Sequence, residues 1–126
     1  MNILLITESY PPEIRAISRM MQELAEFLYK NGNKVIVLAT MPKKNLISSC
    51  SVNTLKQYNI ENGVEVIRAR IPFKNSRSFI LKGLCQIFMI PALYVYYWYN
   101  CKRNIDLVIV YSPPLPLGML GIILKK

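Results

Sequence analysis

The chain contains no histidine, and only seven of its 126 residues are aspartate or glutamate. Its three cysteines, Cys50, Cys85 and Cys101, have no CxxC spacing. An odd number of cysteines without histidine argues against a zinc site and against a disulfide framework, so a reducing cytosol is the expected compartment. The apolar run after Met1 and Asn2 follows no basic leader and contains no small-residue cleavage site, so we expect no secretory signal.

Glycine-rich phosphate-binding motifs are also missing, because the sequence contains neither GxGxxG nor GxxxxGK. The chain is instead rich in positive charge, with 16 lysines and arginines and a formal net charge of +9. This charge favours anionic partners such as phosphorylated metabolites, nucleic acid or an anionic membrane surface. The basic residues are scattered rather than interleaved with exposed aromatic residues, so we do not expect nucleic-acid binding.

The first 40 residues have the pattern of a strand-helix-strand unit. Residues 3–6 (ILLI) form a short continuous apolar run, which is typical of a strand buried on both faces. From Ile14 onward apolar residues recur at helical spacing, and Asn31-Gly32 predicts the end of this helix. Residues 34–40 (KVIVLAT) read as a second buried strand, so a right-handed crossover is expected.

The rest of the chain continues the alternation after an irregular segment. Residues 41–63 are polar, and we expect a surface excursion there. Residues 64–71 have strand composition, but Arg68, Arg70 and Pro72 predict a position at the sheet edge. A long helix is predicted over about 78–100, a fourth strand over 106–111, and the start of another helix in the last ten residues.

These elements predict an α/β fold: a Rossmann-like, doubly wound parallel sheet in a three-layer sandwich. One domain is the most that 126 residues with 52% hydrophobic composition are expected to form. Doubly wound domains typically carry five or more strands, whereas four are predicted here. We therefore expect an incomplete domain with an open edge.

Two proline-stiffened loops mark a candidate ligand crevice. TESYPPEI follows the first predicted strand and YSPPLPLG follows the fourth. In the common strand order these two strands are neighbours at the point where the winding reverses, and ligands collect there. Two consecutive prolines after a strand often serve only to end its hydrogen bonding to the sheet. This simpler interpretation of both loops stays open. The predicted substrate-binding residues are Ser9, Tyr10, Pro12, Glu13, Arg15, Arg19, Ser112, Pro113 and Pro114.

Three stretches of the sequence carry a family resemblance. They are MNILLITESYPPEI followed by RMMQELAEFLYKNGNKVIVLAT, then GVEVIRARIP, and finally DLVIVYSPPLPLGMLGIILKK. In this order the chain resembles the N-terminal domain of glycosyltransferase family 4, and especially its WbuB-like, colanic-acid-type branch. The SPPLPLG turn is the most distinctive part of the match.

The resemblance implies a retaining enzyme of the GT-B fold, in which two Rossmann-like domains face one another. The N-terminal domain holds the acceptor and the C-terminal domain holds the nucleotide-sugar donor. Transfer in this family needs no metal or other cofactor, and the products are bacterial surface polysaccharides such as O-antigen, built on lipid carriers. Residues 1–126 match only part of the acceptor-side domain, so the resemblance assigns no catalytic residue and predicts that the chain alone is inactive.

One position departs from the family pattern. The family usually has glycine just after PPEI, where the backbone approaches the donor phosphates at a helix N-terminus, whereas this chain has Arg15-Ala16. Arg15 either contacts a phosphate directly or blocks that approach by its bulk. Glu13, predicted in the first helical turn, is expected either to stabilise the helix dipole or to contact the substrate.

The predicted second helix is unusually apolar and aromatic. No formal charge occurs from Gly83 to Cys101, and the stretch ends with four tyrosines and Trp98. Three interpretations remain open: a membrane span, a helix that packs on the sheet and touches the membrane surface, and an internal helix. Pro91 and the need to return the chain to the fourth strand on the same side of the sheet oppose a span.

The leading hypothesis is thus the acceptor-binding part of a cytoplasmic glycosyltransferase at the inner face of the cytoplasmic membrane. Its expected partners are a nucleotide-sugar, a lipid-linked glycan acceptor and the membrane surface. The alternative is a non-catalytic remnant or a membrane-surface binding module, which Arg15 at the usual glycine position favours.

Overall fold

The computed structural model describes residues 1–42, 46–49, 51–71, 77–101, 103–111 and 115–124. In these residues the chain is a mixed α/β domain with one five-stranded, mostly parallel sheet and three α-helices. The elements in chain order are β1 (Asn2–Ile6), α1 (Ala16–Lys30), β2 (Lys34–Thr40), a 3-10 turn (Val52–Thr54), β3 (Tyr58–Glu61), β4 (Val64–Ala69), α2 (Phe79–Asn100), β5 (Leu107–Val110) and α3 (Leu115–Leu124).

The strand order is β3-β4-β2-β1-β5, and only β3 runs antiparallel to its neighbour. β1 lies between β2 and β5, so Leu4 pairs with both Ile36 and Val108. The predicted neighbourhood of the first strand and strand 106–111 is therefore confirmed. An inner parallel strand has side chains packed on both faces, which explains why β1 is apolar without alternation.

Helices cover both faces of the sheet because successive strand side chains point to opposite sides. On one face, Met21 and Ala25 of α1 pack with alternate strand residues. On the other face, Met89 and Leu93 of α2 and Leu120 of α3 complete a second buried cluster. The α1-side cluster contains Leu5, Tyr10, Met21, Ala25, Val35, Val37, Ala39, Val64 and Val66.

The start of α1 differs from the prediction. The helix begins at Ala16 rather than near Ile14, because Arg15 has extended backbone angles (φ −144°, ψ 149°) and Glu13 forms an isolated antiparallel bridge with Leu46. Its end agrees with the prediction: α1 stops at Lys30, and Gly32 takes a positive φ of 82°.

The predicted surface excursion contains regular structure that the prediction missed. β3 pairs with β4 through a tight turn in which Asn62 and Gly63 both have positive φ, 51° and 84°. An Asn-Gly pair favours this turn because both residues tolerate the left-handed region. The segment is therefore not irregular at residues 52–54 and 58–61, although residues 53–54 and 58–60 are exposed as a surface position requires. Residues 43–45 and 50 lie outside the described residues.

The prediction that residues 64–71 lie at the sheet edge is also wrong. β4 pairs with β2 on one side and with β3 on the other, and its residues are mostly buried. Arg68, which suggested an edge, is only 1% exposed, and pairing of its guanidinium with Glu61 of β3 offsets the cost of burying its charge. Pro72 lies outside the described residues.

The two remaining helices follow the predicted positions. α2 spans Phe79–Asn100 and contains Pro91 within a continuous helix. It is long and apolar enough to cross a membrane, and only 17% of its apolar window is buried in the protein. β5 pairs with β1 alone among the described strands, and its side chains are largely half-buried.

Candidate functional site

The candidate site is the loop that joins β1 to α1, at the carboxyl end of the central strand. The Thr7 amide donates to the Leu38 carbonyl (3.0 Å), so the loop leaves the sheet beside β2. The Thr40 hydroxyl, at the end of β2, donates to the Glu8 carbonyl (2.6 Å). The carboxyl end of β2 therefore holds the first residues of the loop in position.

A buried chain of hydrogen bonds connects this loop to the first turn of α1. The Ser9 hydroxyl donates to Glu13 Oε2 (2.7 Å), and Ser18 Oγ lies 2.7 Å from Ser9 Oγ. Because Ser9 has a single hydroxyl proton and gives it to Glu13, Ser18 must donate to Ser9. Arg15 Nε lies 3.1 Å from Glu13 Oε1, so the carboxylate is bound at both oxygens.

The other side of the loop is held by Arg68 of β4. Its Nη2 donates to the Pro11 carbonyl (2.7 Å) and to both carboxylate oxygens of Glu61 (2.8 and 2.9 Å). Arg68 Nε and Nη1 are buried and have no hydrogen-bond partner in the part of the chain that the structure describes. One guanidinium thus links the proline loop to the β3–β4 hairpin.

Tyr10 turns inward from the loop and packs in the α1-side cluster, where it is 2% exposed. Burial raises the pKa of its phenol above the ordinary value of 10.0. The carboxylates of Glu61 and Glu26 raise this pKa further, and Arg68 lowers it. Tyr10 is therefore a neutral anchor of the loop.

An open cleft of about 770 Å³ lies between this loop and the first two turns of α1. Its second wall comes from the segment after β2, where the Ile47 amide donates to the Pro12 carbonyl (3.2 Å). Arg15 and Arg19 are exposed beside the N-terminus of α1, where the free backbone amides also favour anions. The residues that line the cleft are Pro11, Glu13, Ile14, Arg15, Ala16, Ser18, Arg19, Gln22 and Ile47.

The structure brings several predicted site residues together but gives them different surroundings. Glu13, Arg15 and Arg19 line the cleft, whereas the Ser9 and Tyr10 side chains are buried and Pro12 is half-buried beside it. The cleft is walled by the loops after β1 and β2. The predicted partner loop contains Ser112, Pro113 and Pro114, which lie outside the described residues.

The beginnings of the two proline loops are nevertheless adjacent. The amide of Tyr111, which precedes the second loop, donates to the carbonyl of Ile6, which precedes the first (2.9 Å). This contact follows from the parallel pairing of β1 with β5.

The expected position of Glu13 in the first helical turn is wrong, since α1 has no acidic residue there and starts three residues later. Its carboxylate is bound by Ser9 and Arg15 and is nearly buried. Glu13 therefore stabilises the loop directly rather than the helix dipole.

Three contributors to the site were missed by sequence reasoning: Ser18, Ile47 and Arg68. Ser18 precedes the buried Met21 by three residues, so helical spacing predicts that Ser18 lies on the buried face of α1. Ile47 and Arg68 gave no local signal, because their contacts are with the loop after β1.

The cleft combines two exposed guanidinium groups with a largely apolar floor, which suits a ligand that has both an anionic and an apolar part. Among the residues with described positions, no group of three or more histidine, cysteine, aspartate or glutamate side chains could hold a metal ion. Comparison of the chain with models of known protein families and with curated proteins finds no match to either.

Proposed function

We propose that this chain is the acceptor-side part of a family 4-type glycosyltransferase with a Rossmann-like, three-layer GT-B domain. The proposal is supported by the parallel order β4-β2-β1-β5 with helices on both faces. The single observation that carries it is the cleft beyond the carboxyl end of β1, lined by the PPEIRA segment of the resemblance. Ligands bind at this edge of open parallel sheets.

In this proposal the cleft binds a phosphate-bearing part of the substrate. Arg15, anchored on Glu13, and Arg19 supply donors to phosphate oxygens. Of the two alternatives for Arg15, direct contact with a phosphate is favoured, because the side chain is held at the cleft while remaining 45% exposed. Ser9, Tyr10 and Pro12 shape the loop that carries these groups.

The reaction proposed for the whole enzyme is transfer of a sugar from a nucleotide-sugar to a lipid-linked glycan, with retention and without a metal or other cofactor. Residues outside 1–126 would bind the donor and carry the catalytic groups. The expected location is the cytoplasmic face of the cytoplasmic membrane, where a lipid-linked acceptor is available.

Isothermal titration tests this function. The chain is titrated with nucleotide-sugars and with a water-soluble, short-chain analogue of a lipid diphosphate-linked sugar. We expect the acceptor analogue to bind. Arg15→Gln should weaken binding about tenfold for whichever ligand places its diphosphate in the cleft, which is the usual loss for one charge-assisted hydrogen bond. Lys34→Gln is the matched control, because it removes one exposed positive charge at the amino end of β2.

Absence of binding by either ligand class would refute the proposal. Equal weakening by Arg15→Gln and Lys34→Gln would also count against it, because the effect would then reflect net charge rather than the cleft.

A second candidate is a membrane-surface binding module without transferase activity. The observation in its favour is the exposed apolar face of α2, because a membrane surface can bind this face without any sugar substrate. Vesicle binding together with failure of the titration above would favour this candidate.

A further inference from the structure

The face of α2 that points away from the sheet is apolar along its whole length. Residues spaced by three or four along a helix share one face, and here they form what we term the outer stripe. The outer stripe consists of Ile80, Leu84, Ile87, Pro91, Val95 and Trp98, all of them exposed. A helix of 22 residues is about 33 Å long, so the stripe is an extended surface.

The opposite face of α2 is already occupied. Met89 and Leu93 belong to the buried cluster with β1, β2 and β4, and Leu120 of α3 joins them. α2 is thus held against the sheet, and the residues that the structure describes leave the outer stripe exposed. Contiguous exposed apolar surface of this kind marks an interaction site.

The charges around α2 select the kind of partner. No aspartate or glutamate occurs between Glu65 and Asp106 in the sequence, and Arg77 and Lys82 are exposed where α2 begins. A second copy of this chain would also carry a net charge of +9, so two such faces would repel each other. An anionic bilayer would instead attract the basic residues and accept the apolar stripe.

The aromatic side chains at the end of α2 point to the same partner. Tyr94 and Trp98 stack with ring centroids 6.4 Å apart, and Tyr99 is 77% exposed. Tyrosine and tryptophan prefer the level of lipid headgroups, where the ring is partly dehydrated and its polar group stays wet. These rings are therefore suited to a membrane surface.

We propose that α2 lies in the plane of an anionic phospholipid surface, with the outer stripe inserted to the depth of the headgroup boundary and the sheet above it in water. The outer stripe is the surface that meets the membrane. Only the choice of the cytoplasmic leaflet rests on the proposed function. It also orients the molecule. Arg103, just after α2, pairs with Glu65 near the amino end of β4, so the basic beginning of α2 lies toward the carboxyl edge, where the cleft is.

Trp98 is the only tryptophan in the chain, so its fluorescence reports on this surface without interference. The complete chain is mixed with vesicles of phosphatidylglycerol or of phosphatidylcholine at low salt. We expect a blue shift of the emission and co-sedimentation with phosphatidylglycerol, both reduced by high salt. Brominated lipids should quench Trp98 most strongly when bromine lies close to the headgroups.

Paired variants keep the test independent of folding. Ile87→Glu introduces a charge into the outer stripe at a position that is 64% exposed, and Phe27→Glu does the same on α1 at 63% exposure. We expect Ile87→Glu to weaken vesicle binding at least about tenfold and Phe27→Glu to leave it within about twofold, since both sites are water-exposed in the free protein.

The proposal is overturned if the chain ignores phosphatidylglycerol vesicles, or if both variants bind equally well. Strongest quenching by bromine at the bilayer centre would show a span, and a dimer disrupted by Ile87→Glu in solution would show a second copy, so either result also overturns it. The acceptor titration uses no vesicles, so failure here leaves the proposed function untouched.

Discussion

At the residue scale, Arg68 is the most deeply buried charged side chain among the described residues. Its side chain is 1% exposed, and a single nitrogen serves both Glu61 and the Pro11 carbonyl. A buried guanidinium is tolerated only when a countercharge and hydrogen bonds offset its lost hydration. One ion pair therefore links the cleft loop to the hairpin.

Removal of the countercharge should expose this dependence. We expect Glu61→Gln to lower the free energy of unfolding by about 3 kcal/mol, because Arg68 is left buried with a neutral partner. Urea unfolding followed by circular dichroism measures the change. The double variant Arg68→Met with Glu61→Gln should recover part of the loss, and a double variant less stable than Glu61→Gln alone would contradict the explanation.

Ionisation of Tyr10 should lower the free energy of unfolding at alkaline pH. Its folded pKa is raised above 10.0, chiefly by burial, so the neutral phenol stabilises the fold fully below pH 10. Above pH 10 the unfolded state loses this proton first, and stability falls by up to about 1.4 kcal/mol per pH unit. Burial also raises the pKa of Tyr97, to about 12, so the wild type must be compared with Tyr10→Phe. The variant should show the shallower decline in unfolding measured between pH 8 and 11, and identical slopes would exclude this role for Tyr10.

At the element scale, the β3–β4 hairpin is the main feature that the sequence patterns did not reveal. β3 is only four residues long and lies in a polar segment, so the alternation of Tyr58 and Ile60 with Asn59 and Glu61 was too short to predict a strand. Asn62-Gly63 lies at the end of the segment in which only a surface excursion was expected, and there it forms the hairpin turn. α1, β2 and α2 were predictable because their apolar spacing directly reflects the faces that they bury.

Gly63 should tolerate substitution less well than Gly32, although both have positive φ, 84° and 82°. A Cβ at Gly63 would collide with the Tyr29 ring, whereas a Cβ at Gly32 meets nothing within 4 Å. We expect Gly32→Ala to cost about 1 kcal/mol from backbone strain alone, and Gly63→Ala about 1–2 kcal/mol, because the half-exposed Tyr29 ring must also move aside. Thermal or urea unfolding compares the two variants. Addition of Tyr29→Ala should reduce the cost at Gly63 only, and equal costs would rule out the steric contact.

At the scale of the whole molecule, three surface features of the described domain lie apart from one another. The cleft lies at the carboxyl edge of the sheet beside α1, the outer stripe lies on the opposite face, and β5 borders a groove of about 440 Å³ against α3. The titration and vesicle experiments address the first two separately. Acceptor binding without vesicle binding would support a soluble transferase domain, whereas both together would support an enzyme that works at the lipid surface.

Local patterns in the sequence were sufficient for the α/β class, for the bounds of most elements and for the loop that carries the cleft. This information is local because periodicity, proline and glycine act through neighbouring residues. The burial of Arg68, the inner position of β4 and the second wall of the cleft depend on segments distant along the chain: Arg68 and Pro11 are 57 residues apart. Such contacts arise only when the sheet brings those segments together. The same packing determines which face of α2 remains exposed to water.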